Sequence, residues 1–373
     1  MKTLLVRAAT AFLALLYYIC RLAPTRQRVV CISRQSNEDP VDFTLIAREL
    51  AHRSPPLATV ILANKIEGAL SYVPVIARQV FYIATSRAVI LDSYCIAVSL
   101  LGDRITVPVF QIWHALGNMK KFGYTALGTP EGHSESIAKA MHMHEGYDCV
   151  VVSSNNFKKD FAAGFNVPEA IVEESPLPRT DLLIDPNYRE RQRRLFFTAY
   201  PSAAGKKVVV YCPTFRKSAP TNEAEAMRAL VDSFDPQHYL LVYMPHPVSR
   251  QAIDDPRVLT VPKGDIDPLF SADYIISDYS TVIYEAGLLG TPVFLYAYDW
   301  DSYREKRSFN IDLEHDVPTL FTSDAKEIAL AISENRFDRK EFEAFVCRNI
   351  SLPVGKSCTQ QLCDLIVARI ESV

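Results

Sequence analysis

The chain has 373 residues, 49% hydrophobic and 22% charged, a globular balance that is long for one core, so two domains are expected. A formal net charge of -3 gives no basis for nucleic acid as the main partner. The eight cysteines form no C-x-x-C pair and several sit in apolar runs, which suits small buried hydrophobes in a reducing compartment and argues against a disulfide framework.

Charge is unevenly placed. No acid precedes Glu38, while Lys2, Arg7, Arg21, Arg26, Arg28 and Arg34 are basic, a pattern that points to an anionic surface, a membrane first. Residues 4–19 are apolar apart from Arg7 and Thr10, and the unbroken run Ala11 to Cys20 is too short to span a bilayer of about 30 Å. Residues 1–24 are therefore read as a helix at the membrane interface. A signal peptide and a helix docked on the protein's own core are the competing readings, although no small-x-small cleavage site follows the run.

Strands and helices then alternate. Short β runs are expected at residues 28–33, 59–62, 88–91, 106–113 and 148–152, with helical spacing over 41–53 and 71–83. A charged helix-prone stretch at 190–200 and a linker-like segment at 201–207 close this half. Five further β runs follow at 207–212, 239–244, 258–261, 274–276 and 293–296, and residues 360–370 read as a closing amphipathic helix. Such alternation implies parallel α/β sheets. The expected divisions are 1–24 for the interface helix, 25–190 and 205–345 for two α/β domains, and 346–373 for the closing helix.

Four polar clusters follow strands. In the first, a strand runs into His114, then Gly117, Lys120 and Lys121; a strand-end imidazole suits proton acceptance and the lysines suit phosphate. In the second, Thr214, Arg216 and Lys217 share one loop, and arginine offers planar two-point contacts to phosphate. The third is His246, held between Pro245 and Pro247. The fourth is a strand, turn, helix and strand over residues 275–296. There Ser280 and Thr281 open a helix from about Val282 to Gly290 and favour a phosphate at its N-terminus, Asp278 is assigned to capping, and Glu285 could hold ribose hydroxyls. Taken singly, these clusters also fit a capped turn, a solvated loop or a packed histidine. His142 and His144 are read as facing opposite sides of a helix with no third ligand at metal-site spacing, so no metal is expected. Neither a P-loop nor a G-x-G-x-x-G motif is present.

In this order the clusters resemble the CDP-glycerol glycerophosphotransferase family, the primases and polymerases of teichoic acid synthesis. The matching residues are Trp113-His114 with Gly117 and Lys120, Pro213-Thr214-Phe215-Arg216, His246-Pro247 and Ser277-Asp278-Tyr279-Ser280. Pro178-Arg179-Thr180-Asp181 and the run Tyr296 to Arg304 also fit, and the resemblance covers about residues 29–370. It implies two Rossmann-like α/β domains facing a cleft (GT-B type), with the acceptor on the first and the nucleotide on the second. It further implies no metal or other cofactor and a peripheral place on the cytoplasmic face of the cell membrane. The partners implied are CDP-glycerol or a related CDP-polyol and a lipid-linked glycan acceptor; the product side is a polyol phosphate ester and CMP. Carried over, His114 is the base for the acceptor hydroxyl. His246, Arg216, Ser280 and Thr281 hold the CDP pyrophosphate, with Lys120 and Thr214 in the same set and Glu285 on the ribose. Ala115-Leu116-Gly117-Asn118, Leu177 and the stretch 312–318 depart from the family's usual residues and bear on donor and acceptor identity. Two other readings remain: a nucleotide-sugar glycosyltransferase of the same architecture, and a non-catalytic membrane-surface binding protein.

Overall fold

The computed structural model describes the chain apart from residues 1, 67, 69, 70, 131, 217–221, 247, 248, 250–252, 264 and 373, and apart from the side chains of residues 2–5. It divides into two compact units. The first comprises Met1–Leu116, Lys121–Asp181 and Asn349–Val373; the second comprises Gly117–Lys120 and Leu182–Arg348.

In the first unit the described strands are β1 (Arg28–Ser33), β2 (Ala58–Ala63), β3 (Ala88–Leu91), β4 (Val109–Gln111), β5 (Cys149–Val152) and β6 (Val172–Glu174). They form one parallel sheet in the order β2-β1-β3-β4-β5-β6. Val29, Val30, Cys31 and the whole of β3 are 0% exposed, the all-apolar signature of a sheet covered on both faces. Because β1 lies between β2 and β3, the order reverses at the β1–β3 pair. That switch point is where loops after neighbouring strands diverge and leave a crevice.

The second unit repeats the plan with β7 (Lys207–Tyr211), β8 (Tyr239–Tyr243), β9 (Val258–Thr260), β10 (Tyr274–Ser277), β11 (Val293–Tyr296) and β12 (Phe321–Thr322). Its parallel order, β12-β11-β10-β7-β8-β9, places the reversal between β7 and β10. Two strands escape a pattern reading. β6 carries Glu173 and Glu174 and so lacks an apolar run, and β12 is only two residues long. The strand expected over 106–113 is shorter, since Pro108 has no N–H for the ladder and Trp113 turns away at a φ of 61°.

The N-terminal segment forms helix α1 (Lys2–Cys20), which packs on α3 (Val73–Thr85) and α4 (Ile96–Leu101), α2 being Val41–Ala51. Leu13 and Tyr17 are its inward face, 7% and 1% exposed, and the Tyr17 hydroxyl accepts the Thr106 N–H at 3.4 Å. Phe12, Leu15, Tyr18 and Ile19 remain 52–63% exposed. One face is thus docked on the protein's own core and the other is an uncovered apolar stripe. Among the described residues no helix is long and apolar enough to cross a membrane.

Pro178-Arg179-Thr180-Asp181 is a structural clasp. Arg179 pairs with Asp42 on α2, and Asp181 accepts the N–H groups of Cys358 and Thr359 at 2.7 and 3.0 Å. It thereby caps the helix Cys358–Glu371 and ties that helix into the first unit.

Candidate functional site

In the first unit, loops from three neighbouring strands meet at the switch point. The loop after β1 supplies Arg34 and Gln35, the one after β3 supplies Asp92, Ser93 and Tyr94, and the one after β4 supplies Trp113 and His114. The Ser93 hydroxyl accepts the Arg34 N–H at 3.3 Å, joining two of them. His114 Nδ1 lies 2.9 Å from the carbonyl oxygen of Asp92. A carbonyl only accepts, so Nδ1 carries the proton and Nε2 is the basic nitrogen. Gln35 approaches the same Nδ1 at 3.2 Å, which fits this tautomer when its amide turns its oxygen there. Asp92 is 4% exposed; burial, against hydrogen bonds from Ser33 and Ser93, raises its carboxyl to about 6. His114 lines a cavity of about 330 Å³ whose other walls include Arg34, Gln35, Tyr94, Trp113 and His133.

In the second unit, the loops after β7 and β10 are joined through charge across the β7–β10 switch point. Asp278 is 0% exposed and accepts the Thr214 N–H at 2.9 Å, while its carboxylate lies 2.9 Å from Arg216 Nη2. Arg216 also makes two-point contact with Asp299 at 2.6 and 2.7 Å and donates to the Thr214 carbonyl at 2.8 Å. Tyr279, Tyr298 and Tyr303 ring the guanidinium at 5.1–5.6 Å, and Tyr279 donates its hydroxyl proton to Asp299 at 3.0 Å. Burial alone would lower the Arg216 pKa; Asp278 and Asp299 outweigh it and hold the guanidinium further above its usual value. These donors are committed to protein oxygens. Asp278 is a strand-end anchor for that network, which replaces the capping role expected for it.

The segment Gly117–Lys120 belongs to the second unit, held by the Asn310 N–H donating to the Met119 carbonyl at 2.8 Å and by an antiparallel bridge between Lys120 and Phe309. Gly117 is required by close approach, because a Cβ there would lie 2.0 Å from the Tyr284 ring. Lys120 keeps part of its surface open, yet protein atoms crowd its ammonium. Burial, with Arg307 and Arg216 against Asp278 and Asp299, brings its pKa down to about 7. The ammonium lies 3.3 Å from the Thr214 hydroxyl. His246 is exposed and rests against Phe215 with ring centroids 5.6 Å apart. Crowding first, then the Lys120 charge, lowers its pKa, so at neutral pH it is an N–H donor rather than a cation. Pro247 and Lys217 lie outside the described residues.

Ser280 and Thr281 are half-buried at the start of the helix Val282–Leu288, with Glu285 in its first turn. That helix is capped at Leu289 and stopped by Gly290 at a φ of 64°, as expected, and Thr281 makes no side-chain cap. Lys120, Thr214, Arg216 and Asp278 are thus brought together by direct contacts within the second unit, while His114 belongs to the first. His142 and His144 lie in a turn at φ values of 48° and 65°. His142 pairs with Glu145 at 2.8 Å and His144 is buried against Tyr147 at 2.9 Å, so they diverge as expected, though not from a helix. Among the described residues no group of three His, Cys, Asp or Glu could hold a metal ion. Sequence reasoning missed Arg34, Gln35 and Asp299 as site residues. Asp299 was visible only as part of a motif, and Arg34 only as one of several basic residues.

A sequence profile for "CDP-Glycerol:Poly(glycerophosphate) glycerophosphotransferase" matches residues 15–368. The chain belongs to this family. It is 28% identical over 387 residues to the teichoic acid ribitol-phosphate primase of Bacillus spizizenii, covering 100% of this chain and 99% of that protein. It is also 28% identical over 241 residues to the teichoic acid glycerol-phosphate primase of Bacillus subtilis, covering 62% of this chain and 60% of that protein. Several relatives are longer: the match to the Bacillus spizizenii poly(ribitol-phosphate) polymerase spans 55% of that protein. The wall teichoic acid polymerase TagF has the same fold, with a TM-score of 0.76 at 17% identity over 100% of this chain and 97% of that structure.

Proposed function

We propose that this chain of the glycerophosphotransferase family moves a polyol phosphate from a CDP-polyol to a hydroxyl of a membrane-bound glycan-lipid acceptor in the synthesis of a teichoic-acid-like cell wall polymer, with release of CMP. The family match over residues 15–368 carries this reading. CDP-glycerol is the first donor to test, as the family description names it. CDP-ribitol is a second reading, favoured by end-to-end alignment with the ribitol-phosphate primase, whereas the glycerol-phosphate primase aligns over 62% of the chain.

In this reading the first unit handles the acceptor and the second the donor, as in a GT-B enzyme. His114 Nε2 takes the hydroxyl proton. The acceptor oxygen bonds to the phosphorus bearing the polyol, and the bond from that phosphorus to the bridging oxygen breaks, its electron pair leaving with CMP. Lys120, Ser280 and Thr281 contact the diphosphate, His246 donates one N–H to it, and Glu285 takes the ribose. Thr214 sits beside the Lys120 ammonium and steadies it. Arg216, with its donors held by Asp278, Asp299 and Thr214, acts by fixing the two loops that carry these groups. The reaction is expected to proceed unchanged in EDTA.

The deciding experiment offers CDP-glycerol, CDP-ribitol and UDP-sugars to pure protein with acceptor. CMP release is expected. Release of UDP instead would make it a glycosyltransferase, and no release from any donor would leave a binding protein. The location proposed is peripheral, on the cytoplasmic face of the membrane, through the exposed stripe of α1. Phe12→Ser with Leu15→Ser should therefore reduce sedimentation with anionic vesicles without lowering the melting temperature.

Lys120 gives the donor site a pH signature. It is charged below about 7 and neutral above, so donor KM is expected to rise as pH climbs through 7. Lys120→Met should raise KM at pH 6 and flatten that rise. Linkage has the opposite sign for stability. Between about 7 and the ordinary lysine value of 10.5 the unfolded chain binds the extra proton, so folding stability contributed here rises with pH. A donor KM that is flat across this range in the wild type would remove Lys120 from the site.

A further inference from the structure

Gln111 ends β4 with its side chain inside the first unit, 0% exposed. A strand position without water calls for an apolar residue, and an amide is tolerated there only when its polar atoms are engaged. Three contacts engage this one. Its Nε2 donates to the Ser93 carbonyl and to the Tyr147 hydroxyl, both at 3.1 Å, and its Oε1 accepts the Trp113 N–H at 3.0 Å. The Ser93 carbonyl can only accept and the Trp113 N–H can only donate, so the amide fits in one orientation.

The bond to Trp113 is where the strand becomes the site. Ile112 still donates its N–H to the Leu91 carbonyl at 2.8 Å, as a ladder residue does. The next N–H goes to the Gln111 side chain instead, and Trp113 turns out of the sheet at a φ of 61°, where an L residue needs an outside hold. His114 follows at once. The same amide ties down Ser93, the neighbour of Asp92, whose carbonyl receives the His114 Nδ1 proton. One side chain thus fixes both the departure of the imidazole from β4 and the loop that sets its tautomer.

We propose that Gln111 is a positioning residue for the transfer, setting the direction and tautomer of His114 through the Trp113 backbone and the loop after β3. The inference rests on the base role given to His114 in the proposed reaction. Being fully buried, Gln111 meets no reactant itself. A leucine of similar bulk would serve the strand equally well, but it would leave the Trp113 N–H without this acceptor and Ser93 without this donor.

The test has a kinetic arm and a spectroscopic arm. Gln111→Leu should lower kcat for CMP release about 10²-fold and leave the donor KM unchanged. Gln79→Leu removes a buried amide on α3 that donates to the Tyr72 hydroxyl at 3.2 Å; it should lower the melting temperature without that loss of rate. In nitrogen NMR of the histidine-labelled full chain, the His114 signal is the one lost in His114→Gln. It should show the proton on Nδ1 in the wild type and a mixture of tautomers in Gln111→Leu.

Gln111→Glu keeps the size and adds a pH readout. The neutral acid donates one O–H to the Ser93 carbonyl and accepts the Trp113 N–H, whereas the carboxylate has no donor and faces that carbonyl with like charge. Burial raises the pKa of such a carboxyl well above its ordinary range. Relative to the wild type at the same pH, kcat should be largely kept at about pH 6.5 and fall at least about tenfold by about pH 9. The facing groups do not imitate this. Burial holds His144 neutral, with its pKa down to about 3, and raises the pKa values of Tyr147, Tyr94 and Cys95. Arg34 adds a fixed charge, and whatever Asp92 and His114 contribute cancels in the ratio.

A folded Gln111→Leu with wild-type kcat and an unchanged His114 signal overturns the proposal. A rate loss that only matches the fraction unfolded in circular dichroism reduces Gln111 to packing and also overturns it. The same holds if the Gln111→Glu ratio stays level while its melting temperature falls with rising pH, the sign of a buried carboxyl ionising. If no CDP-polyol yields CMP, the proposed reaction fails, while the His114 signal still judges Gln111.

Discussion

His114→Ala is expected to lower the rate of CMP release by about 10²- to 10⁴-fold, the usual contribution of a positioned base. The donor KM should change little, because the groups proposed to hold the donor lie in the second unit. The imidazole is half-buried and hydrogen-bonds to the Asp92 carbonyl and to Gln35 at the mouth of the sheet's loops, so thermal stability should fall only slightly. The specific element is the tautomer. The Asp92 carbonyl holds the proton on Nδ1 at 2.9 Å, which leaves Nε2 basic without any change in charge. His114→Gln keeps a side chain of similar reach but no base, and should be as inactive as alanine. Near-normal turnover in either folded variant would remove His114 from the chemistry and return the reading to positioning and electrostatics alone. His246→Ala is a weaker case, since a neutral N–H donor contributes less than a base.

Arg216→Met should cost about 3–5 kcal/mol of stability, because it strands two buried carboxylates. The side chains of Arg216, Asp278 and Asp299 are 5%, 0% and 2% exposed, so solvent cannot replace the lost partner. Methionine fills much of the volume among Tyr279, Tyr298 and Tyr303, which isolates the charge effect from a cavity effect. Denaturant unfolding of the full chain measures it. Adding Asp278→Asn to Arg216→Met should recover part of the loss, a coupling that a double-mutant cycle reads directly. Transfer should also fall in Arg216→Met, with the donor KM moving more than kcat, as expected of a group that positions loops rather than reacting atoms. A loss below about 1 kcal/mol would mean that the network adds specificity and no net stability.

The split between these residues shows what kind of information a sequence carries. Val29 to Ile32, Ala88 to Leu91 and Val208 to Tyr211 are apolar because a sheet covered on both faces leaves them no water. That local requirement is written in each strand, and so is the alternation with helices that implies two α/β halves. His114, Thr214, His246 and Ser280 were legible for the same reason: each stands just after such a run, where a parallel sheet presents its loops. β6 and β12 were not, since neither carries an apolar run.

The tertiary structure alone decided which strands lie side by side and therefore where the two order reversals fall. It decided that Arg216 is spent on Asp278 and Asp299, 62 and 83 positions away, rather than exposed to a ligand; these long-range ion pairs have no local signature in either segment. It moved Asp278 from capping to anchoring, and made Gly117 obligatory through a Tyr284 ring that the sequence places far downstream. It also separated Arg34 from the other basic residues of the N-terminal stretch, setting it at the wall of the His114 cavity where they are not. Composition and periodicity fix what each segment must bury. Charge partners and cavity walls depend on which segments meet, and only the folded chain settles that.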